Sequence, residues 1–390
     1  MNKQISMIIL FVFLSPCVFG DSAVLQAYIQ SFSRSSITAK PDVLRNAASD
    51  SRINESVHQL YDYALRYILN NYANTDDLSD MNNIIGVSLR GLRDTRSARN
   101  FDIMWRLFFE YPASEVKAEI MITLGILGKG NRSIIDNLNN HLNEMNFLFL
   151  SGETIDYSLL SANILAIMEL GDSSSYPVLF NVLTAGYPEV IVSEAAGALD
   201  LIDGNLKEFL FNIIELNPPE EKFIAFRTGI NSVRLSNFER GQLAELALEI
   251  GLTAVEDNVD LTAMRYSAVW ALTSLRWTRA NTLVIRHYYR VLADYINGTV
   301  AKTRLIEAIT CLGAVGNSEA ALVLGLQLGL INSRTESTGA FDADITLAII
   351  QALGNIGANA VFEHLLYASN LSYNENIRAA AREAMGRLRW

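Results

Sequence analysis

A turn between two apolar helices recurs along this chain, and it constrains the fold more than any other feature. The stretch EAITCLGAVGNSEAALVLGLQL, residues 307–328, is followed about forty residues later by LAIIQALGNIGANAVFEHLLY, residues 347–367. Each stretch places two glycines three residues apart between two apolar segments with helical spacing. Such a glycine pair is typical either of a phosphate-binding loop or of a repeated structural turn.

The turn is copied along most of the chain. The spacing between successive copies is 32 to 43 residues, as measured from the last apolar residue before each turn: Leu92, Leu127, Leu170, Ile202, Leu235, Leu275, Val315, Ile356 and Leu388. A period in this range is typical of repeats built from helical hairpins. A phosphate-binding loop follows a strand and occurs once or twice. The pattern therefore indicates a structural joint in a stack of helical hairpins.

The two glycines of each joint have different predicted roles. The second one follows the last apolar residue of the first helix, where a left-handed residue often ends a helix: Gly128, Gly171, Gly316 and Gly357. The first one sits one turn earlier, where the absence of a side chain lets a neighbouring helix approach: Gly125, Gly313, Gly354 and Gly386. All eight are expected to be structural turn residues.

Three segments carry a resemblance to a known family: ASEVKAEIMITLGILGKG, DITLAIIQALGNIGANA and ENIRAAAREAMGRLRW. They resemble the first helix and turn of HEAT repeats, of the subtype also found in phycobilin lyases. The resemblance covers residues 78–390, although residues 220–300 lack the paired glycines. It implies an all-α fold, a right-handed α-α superhelix (α-solenoid) of about eight hairpins with a concave binding face. It also implies a scaffolding role rather than catalysis.

The N-terminus reads as a targeting segment. Lys3 precedes the apolar run ISMIILFVFL, and CVFG then offers small residues at a signal peptidase site. We expect a signal peptide over residues 1–20, cleaved after Gly20, and therefore export to the periplasm or the medium. Cys17 leaves lipoprotein processing as the less favoured alternative. Residues 21–77 are less regular and are expected to form a helical cap on the open end of the array.

Charge narrows the class of partner. The chain carries 31 Lys and Arg against 42 Asp and Glu, a formal net charge of −11. An acidic chain is a poor match for nucleic acid or anionic lipid, whereas basic proteins and divalent cations remain open. Cleavage after Gly20 would leave Cys311 as the one cysteine, so no intramolecular disulfide is expected.

The residue pattern does not favour a catalytic, cofactor or metal site. The four histidines, His58, His141, His287 and His364, are far apart, and none has a second ligand at metal-binding spacing. No Gly-x-Ser-x-Gly turn is present in the sequence. We therefore expect no cofactor and no metal beyond weak Ca²⁺ binding, and an enzyme is the less favoured class.

One aromatic and basic run is a candidate partner contact. In VIRHYYRVLADY, residues 284–295, Arg286, Tyr289 and Arg290 are expected to project onto the concave face. Tyr and Arg are enriched at binding hot spots. Trp270 and Trp277 could extend the patch. The alternative is an ordinary amphipathic helix whose tyrosines complete the core.

A second candidate contact is an acidic rim. Residues 146–157, 251–262 and 331–344 are read as insertions after second helices, which in a solenoid emerge along one edge. They carry Glu153, Asp156, Glu256, Asp257, Asp260, Glu336, Asp342 and Asp344. These carboxylates are expected to engage a basic partner or hold Ca²⁺ weakly. The alternative is a set of ordinary solvated loops.

The favoured function is a non-catalytic, protein-binding scaffold of the bacterial cell envelope. It would present a concave face and an acidic loop edge to a partner protein. Two alternatives stay open: a lyase-like HEAT-repeat enzyme that binds a ligand in the groove, and a purely structural spacer.

Overall fold

The computed structural model describes residues 17–74, 78–99, 101–254 and 258–390, with side chains from Ser22 onward. Throughout these residues the regular structure is helical, and the β-type pairing is confined to an isolated bridge between Ala358 and Arg389. The fold class is therefore all-α, as the repeat pattern predicts. Among the described residues, no helix is long and apolar enough to cross a membrane.

The chain divides into two compact units, of which the first ends at Gly204. Short 3₁₀ turns occur at Ile37–Ala39, Ser51–Ile53, Tyr72–Asn74 and Ser173–Ser175. The α-helices of the first unit are α1 (Cys17–Arg34), α2 (Lys40–Ala48), α3 (His58–Asn71), α4 (Ser79–Asp94), α5 (Phe101–Glu110), α6 (Ser114–Leu127), α7 (Arg132–Leu150), α8 (Tyr157–Leu170), α9 (Tyr176–Thr184) and α10 (Glu189–Leu201).

The second unit begins at Asn205. It has 3₁₀ turns at Thr278–Ala280 and Asn359–Val361. Its α-helices are α11 (Leu206–Leu216), α12 (Pro219–Asn231), α13 (Asn237–Thr253), α14 (Val259–Leu275), α15 (Asn281–Ile296), α16 (Lys302–Val315), α17 (Ser318–Thr338), α18 (Ala343–Ile356), α19 (Phe362–Asn370) and α20 (Glu375–Gly386).

Each unit is a stack of helices in two layers, in which a helix contacts its neighbours in sequence and the next helix of its own layer. In the first unit, α4, α6, α8 and α10 follow one another in one layer. In the second unit, α12, α14, α16, α18 and α20 form what we call the first layer, and α11, α13, α15, α17 and α19 form the second layer. This stacking of hairpins is the α-solenoid arrangement.

The first glycine of the joint lies where two helices of one layer touch. A Cβ on Gly125 would lie 2.5 Å from Cα of Ala166, and a Cβ on Gly313 would lie 2.7 Å from Cα of Ala352. Real Cβ contacts are longer than 3.0 Å, so any larger residue would push these helices apart. Gly386 differs, because no atom lies within 4 Å of the added Cβ.

The second glycine has two different backbone conformations. Gly171 and Gly357 are left-handed, with φ of +69° and +72°. Gly128 and Gly316 have φ of −87° and −69°, so the expected left-handed cap is wrong at these two joints. Steric crowding explains why glycine occupies these positions instead. A Cβ on Gly316 would lie 2.4 Å from the carbonyl oxygen of Leu312 in the preceding helix, which is too close for any side chain.

The segment that precedes the repeats is helical and packs onto them. It contains α1, α2 and α3. Lys40 of α2 is buried, donates a hydrogen bond from Nζ to the Phe32 carbonyl, and lies 4.5 Å from the centre of the Tyr67 ring. Burial of the ammonium lowers the pKa of Lys40. Because α2 and α3 contact α4, this segment continues the stack of the first unit.

The predicted signal peptide falls almost wholly outside the described residues. Helix α1 begins at Cys17, and its backbone is helical through Gly20 and Asp21. The side chain of Cys17 is not among those described. Cleavage after Gly20 and lipidation of Cys17 therefore stay predictions.

Candidate functional site

The candidate site lies at a joint that lacks the first glycine. Glycine stands two residues before the last apolar residue of α6, α16 and α18, and α14 has Thr273 at this position. The facing helices carry alanine at the contact, as at Ala166 and Ala352, whereas α16 carries Cys311. Cys311 Sγ and Thr273 Oγ1 both donate hydrogen bonds to the Val269 carbonyl oxygen, at 3.6 and 2.7 Å. A groove lies at this joint, between α14 and α16.

The groove has a volume of about 720 Å³ and runs along both helices. From Val259 to Thr273 it follows α14 for about 21 Å, at 1.5 Å per residue. Trp270 projects into it with 69% of its surface exposed, and Val259 at its end is 80% exposed. A groove of this size with an exposed tryptophan is a candidate binding surface.

A cation and an aromatic ring form the polar part of the groove. The guanidinium carbon of Arg304 lies 4.3 Å from the centre of the Tyr266 ring. Arg304 Nη1 is also 2.8 Å from Glu307 Oε2, in an exposed ion pair one turn along α16. Behind the ring, the guanidinium carbon of buried Arg265 lies 5.1 Å from the same ring centre. Stacked in this way, Arg304 is held with its hydrogen-bond donors at the groove surface.

Two potentially reactive side chains lie beneath the groove. The His287 ring packs edge-on against Tyr266, with ring centres 5.6 Å apart, and is fully buried. Burial, together with the positive charges of Arg265 and Arg290, lowers the pKa of His287 to about 3. Cys311 is also buried, and this raises the pKa of its thiol to about 12. At neutral pH His287 is therefore uncharged and Cys311 is protonated, and both are withdrawn from a ligand in the groove.

The aromatic and basic residues named from sequence lie on α15, away from the groove. Arg286 and Tyr289 are exposed, Tyr289 by 51%, and Arg290 is half-buried. Helix α15 belongs to the second layer, whereas α14 and α16 form the groove in the first layer. The structure thus presents Arg286 and Tyr289 on a separate surface, and their role as a partner contact stays a prediction.

The two tryptophans considered beside that patch do not act together. Trp270 lines the groove. Trp277 packs against Phe238 and donates a hydrogen bond from Nε1 to Glu245 Oε2 at 2.7 Å. Trp277 is therefore a packing residue, and Trp270 is available to a ligand.

The acidic residues are spread over helix ends more than over loops. Helix α7 extends to Leu150 and α17 extends to Thr338, so the connecting loops are shorter than the insertions expected from sequence. Asp156 caps α8 through the backbone N–H groups of Ser158 and Leu159, and it accepts a hydrogen bond from Ser114.

The remaining acidic candidates occupy similar places. Asp342 caps α18, and Lys302 Nζ lies 3.3 Å from Asp342 and 2.5 Å from Asp344. Glu153 is exposed, and Asp260 lies in the first turn of α14. Glu256 and Asp257 lie outside the described residues. Among the side chains described, no three His, Cys, Asp or Glu residues converge on a metal position.

The sequence alone does not locate the groove. Tyr266 and Arg304 belong to no recognisable motif, and their proximity depends on two helices 38 residues apart in sequence. The joint position that Thr273 occupies in α14 also lacks glycine in α4, which has Arg90, and in α8, which has Met168, so the glycine pattern does not locate the groove.

Comparisons with known proteins find matches among solved structures alone. No family model matches the chain, and no curated protein matches it. One solved crystal structure, of an engineered protein, is similar at 13% identity and a TM-score of 0.36, covering 93% of this chain and 98% of that one. These comparisons identify neither the family nor the function of this chain.

Proposed function

We propose that this protein is a non-catalytic, protein-binding scaffold, and that the groove between α14 and α16 holds a segment of its partner. The observation that carries the proposal is Trp270, which is 69% exposed inside a groove of about 720 Å³. Trp, Tyr and Arg are the residue types that dominate binding hot spots, and Trp270, Tyr266 and Arg304 supply all three within one groove.

The chemistry of the groove favours binding over catalysis. A general base or a nucleophile needs a pKa near the working pH and access to the substrate. The pKa of His287 is about 3 and that of Cys311 is about 12, and both side chains are buried. Arg304 and Glu307, the charged residues that line the groove, already pair with each other.

The test is site-specific photo-crosslinking in an envelope extract. A benzophenone amino acid replaces Trp270 in one version of the chain and Tyr289 in a second. A third version carries it at Trp390, which is 84% exposed and provides a matched tryptophan site outside the groove. We expect a discrete protein adduct from position 270 that Arg304→Ala weakens. An adduct from position 289 would place the contact on α15 instead.

Two results would contradict the proposal. One is the same set of adducts from positions 270 and 390, which would show unspecific capture. The other is a small molecule that co-purifies with the chain and blocks crosslinking at position 270. That second result would favour the lyase-like class, in which the groove holds a ligand.

We further propose that the scaffold is an exported protein of the HEAT-repeat type, with basic proteins as the favoured partners. The N-terminal apolar run, the recurrent joints and the net charge of −11 support this. The mass of the chain purified from the envelope fraction tests export, because cleavage after Gly20 predicts an N-terminus at Asp21. A lipidated mature chain would instead begin at Cys17.

A further inference from the structure

The second layer of the second unit exposes a row of leucines that the groove does not use. On α17, Leu322, Leu326 and Leu330 are 52%, 65% and 67% exposed. Residues four apart lie on one face of a helix, so the three side chains form a continuous ridge. Single exposed leucines are ordinary on protein surfaces, whereas an aligned row marks an interaction surface.

A hollow lies directly beside this ridge. It has a volume of about 660 Å³, and it is lined by Leu326 and Leu330 of α17 and by Tyr367 of α19. Gly329 and His364 also line it, and a Cβ on Gly329 would lie 3.2 Å from His364 Cε1, so the absence of a side chain keeps the hollow open. One surface therefore carries a protrusion and a depression side by side. A two-fold contact needs this combination, because each copy supplies the same patch.

We propose that the leucine ridge, Leu322, Leu326 and Leu330, is the contact between two copies of this chain. The α17 helices pack antiparallel about a two-fold axis at Leu326. Leu322 of one copy then faces Leu330 of the other, and each ridge lies against the hollow of the second copy.

Charge at the two ends of the ridge supports the antiparallel arrangement. Glu319 is exposed in the first turn of α17, and Arg334 is exposed near its C-terminal end. Glu319 accepts a hydrogen bond from Asn281 Nδ2 at 3.3 Å, which fixes its position. Since the axis passes through Leu326, Glu319 of one copy lies next to Arg334 of the other, at both ends of the contact. A parallel pairing would place like charges together instead.

The size of the face sets the strength of the dimer. From Glu319 to Arg334 the helix spans about 22 Å, at 1.5 Å per residue. A contact built on one helix of this length buries less than the roughly 1,200–2,000 Å² of a standard interface. We therefore expect reversible association with a Kd on the order of 10 μM.

Sedimentation velocity from about 1 to 200 μM, a range that brackets such a Kd, tests the proposal on the full-length chain. Wild type should shift from monomer to dimer over this range. Leu326→Glu places two carboxylates on the axis and should weaken association by about 100-fold or more. The matched control is Leu201→Glu on α10, because Leu201 is also 65% exposed, and it should dimerise as wild type does. Circular dichroism verifies that both variants are folded.

Charge reversal tests the antiparallel geometry. Glu319→Arg and Arg334→Glu should each weaken the dimer by about threefold to tenfold, and the double variant should restore it. A wild-type chain that stays monomeric at the highest concentration overturns the proposal. A dimer that persists in Leu326→Glu overturns it too, as does a double variant that associates no better than the singles.

Discussion

The joint glycines allow one prediction to be worked out from contact distances. Gly125 in α6 and Gly197 in α10 are both helical and belong to the same unit, so they report on the same unfolding transition. Around Gly197 there is no atom within 4 Å of an added Cβ. At Gly125 the added Cβ would lie 2.5 Å from both Cα and the carbonyl oxygen of Ala166. The same substitution, glycine to alanine, should therefore have opposite effects at the two sites.

Gly197→Ala should stabilise the first unit by about 1 kcal/mol, because alanine is the better helix former and nothing obstructs it. Gly125→Ala gains the same stabilisation of about 1 kcal/mol from helix propensity. Against this, α6 and α8 must separate by about 0.9 Å to lengthen the contact from 2.5 to an ordinary 3.4 Å. Forcing a larger side chain into a packed interface costs up to about 3 kcal/mol of stability. Separating the two helices by this distance also weakens every contact along them. The net expectation is destabilisation by about 2 kcal/mol.

Urea unfolding followed by circular dichroism at 222 nm measures both values. The midpoint of Gly125→Ala should fall below that of wild type, and the midpoint of Gly197→Ala should rise above it. A Gly125→Ala chain as stable as Gly197→Ala would refute the idea that the first glycine is needed for close helix approach. Gly313→Ala and Gly386→Ala repeat the comparison in the second unit, since the added Cβ is 2.7 Å from Ala352 in the former and uncontacted in the latter.

Three further predictions concern single side chains. His287 has a pKa of about 3 in the folded chain and 6.5 as its ordinary value. Stability should therefore fall by about 1.4 kcal/mol per pH unit below 6.5, and by about 2 kcal/mol at pH 5. His287→Leu should remove this loss in urea titrations at pH 7 and 5; an unchanged pH dependence would contradict the assignment. Ser236→Ala removes the capping box that Ser236 and Glu239 form at the start of α13, and should cost about 1 kcal/mol, measured as a lower urea midpoint. In a Cys17→Ser chain, Cys311 should react with Ellman's reagent only as fast as the chain unfolds. Its thiol is buried and has a pKa of about 12, so the folded chain protects it. Rapid reaction of the folded chain would show that the thiol is accessible.

Much of the fold could be predicted from the sequence. The all-α class and the stacked hairpins follow from the spacing of apolar residues within each helix, which contiguous residues encode. The close helix approach at Gly125 was also predictable, because contact with a neighbouring helix is the main explanation for a glycine one turn before a helix end. The left-handed joint was predictable only in part. Gly171 adopts it and Gly316 does not, because the local turn also depends on how Leu312 and Ala320 crowd it.

The candidate site depended on distances between different repeats. The residue pattern identified Trp270 as notable, but placed it beside the α15 patch rather than in a groove. The groove that Trp270 lines is formed by side chains of two copies, on α14 and α16. The burial of His287 and the capping by Asp156 likewise required the assembled helices.

The sequence by itself determined the repeated unit, its length, its helical class and the joints where it turns, because periodicity and glycine conformation are local properties of the chain. The tertiary structure alone decided which joint opens into a groove, which face exposes Trp270 and which exposes the leucine ridge. Those features depend on packing between helices that are distant in sequence.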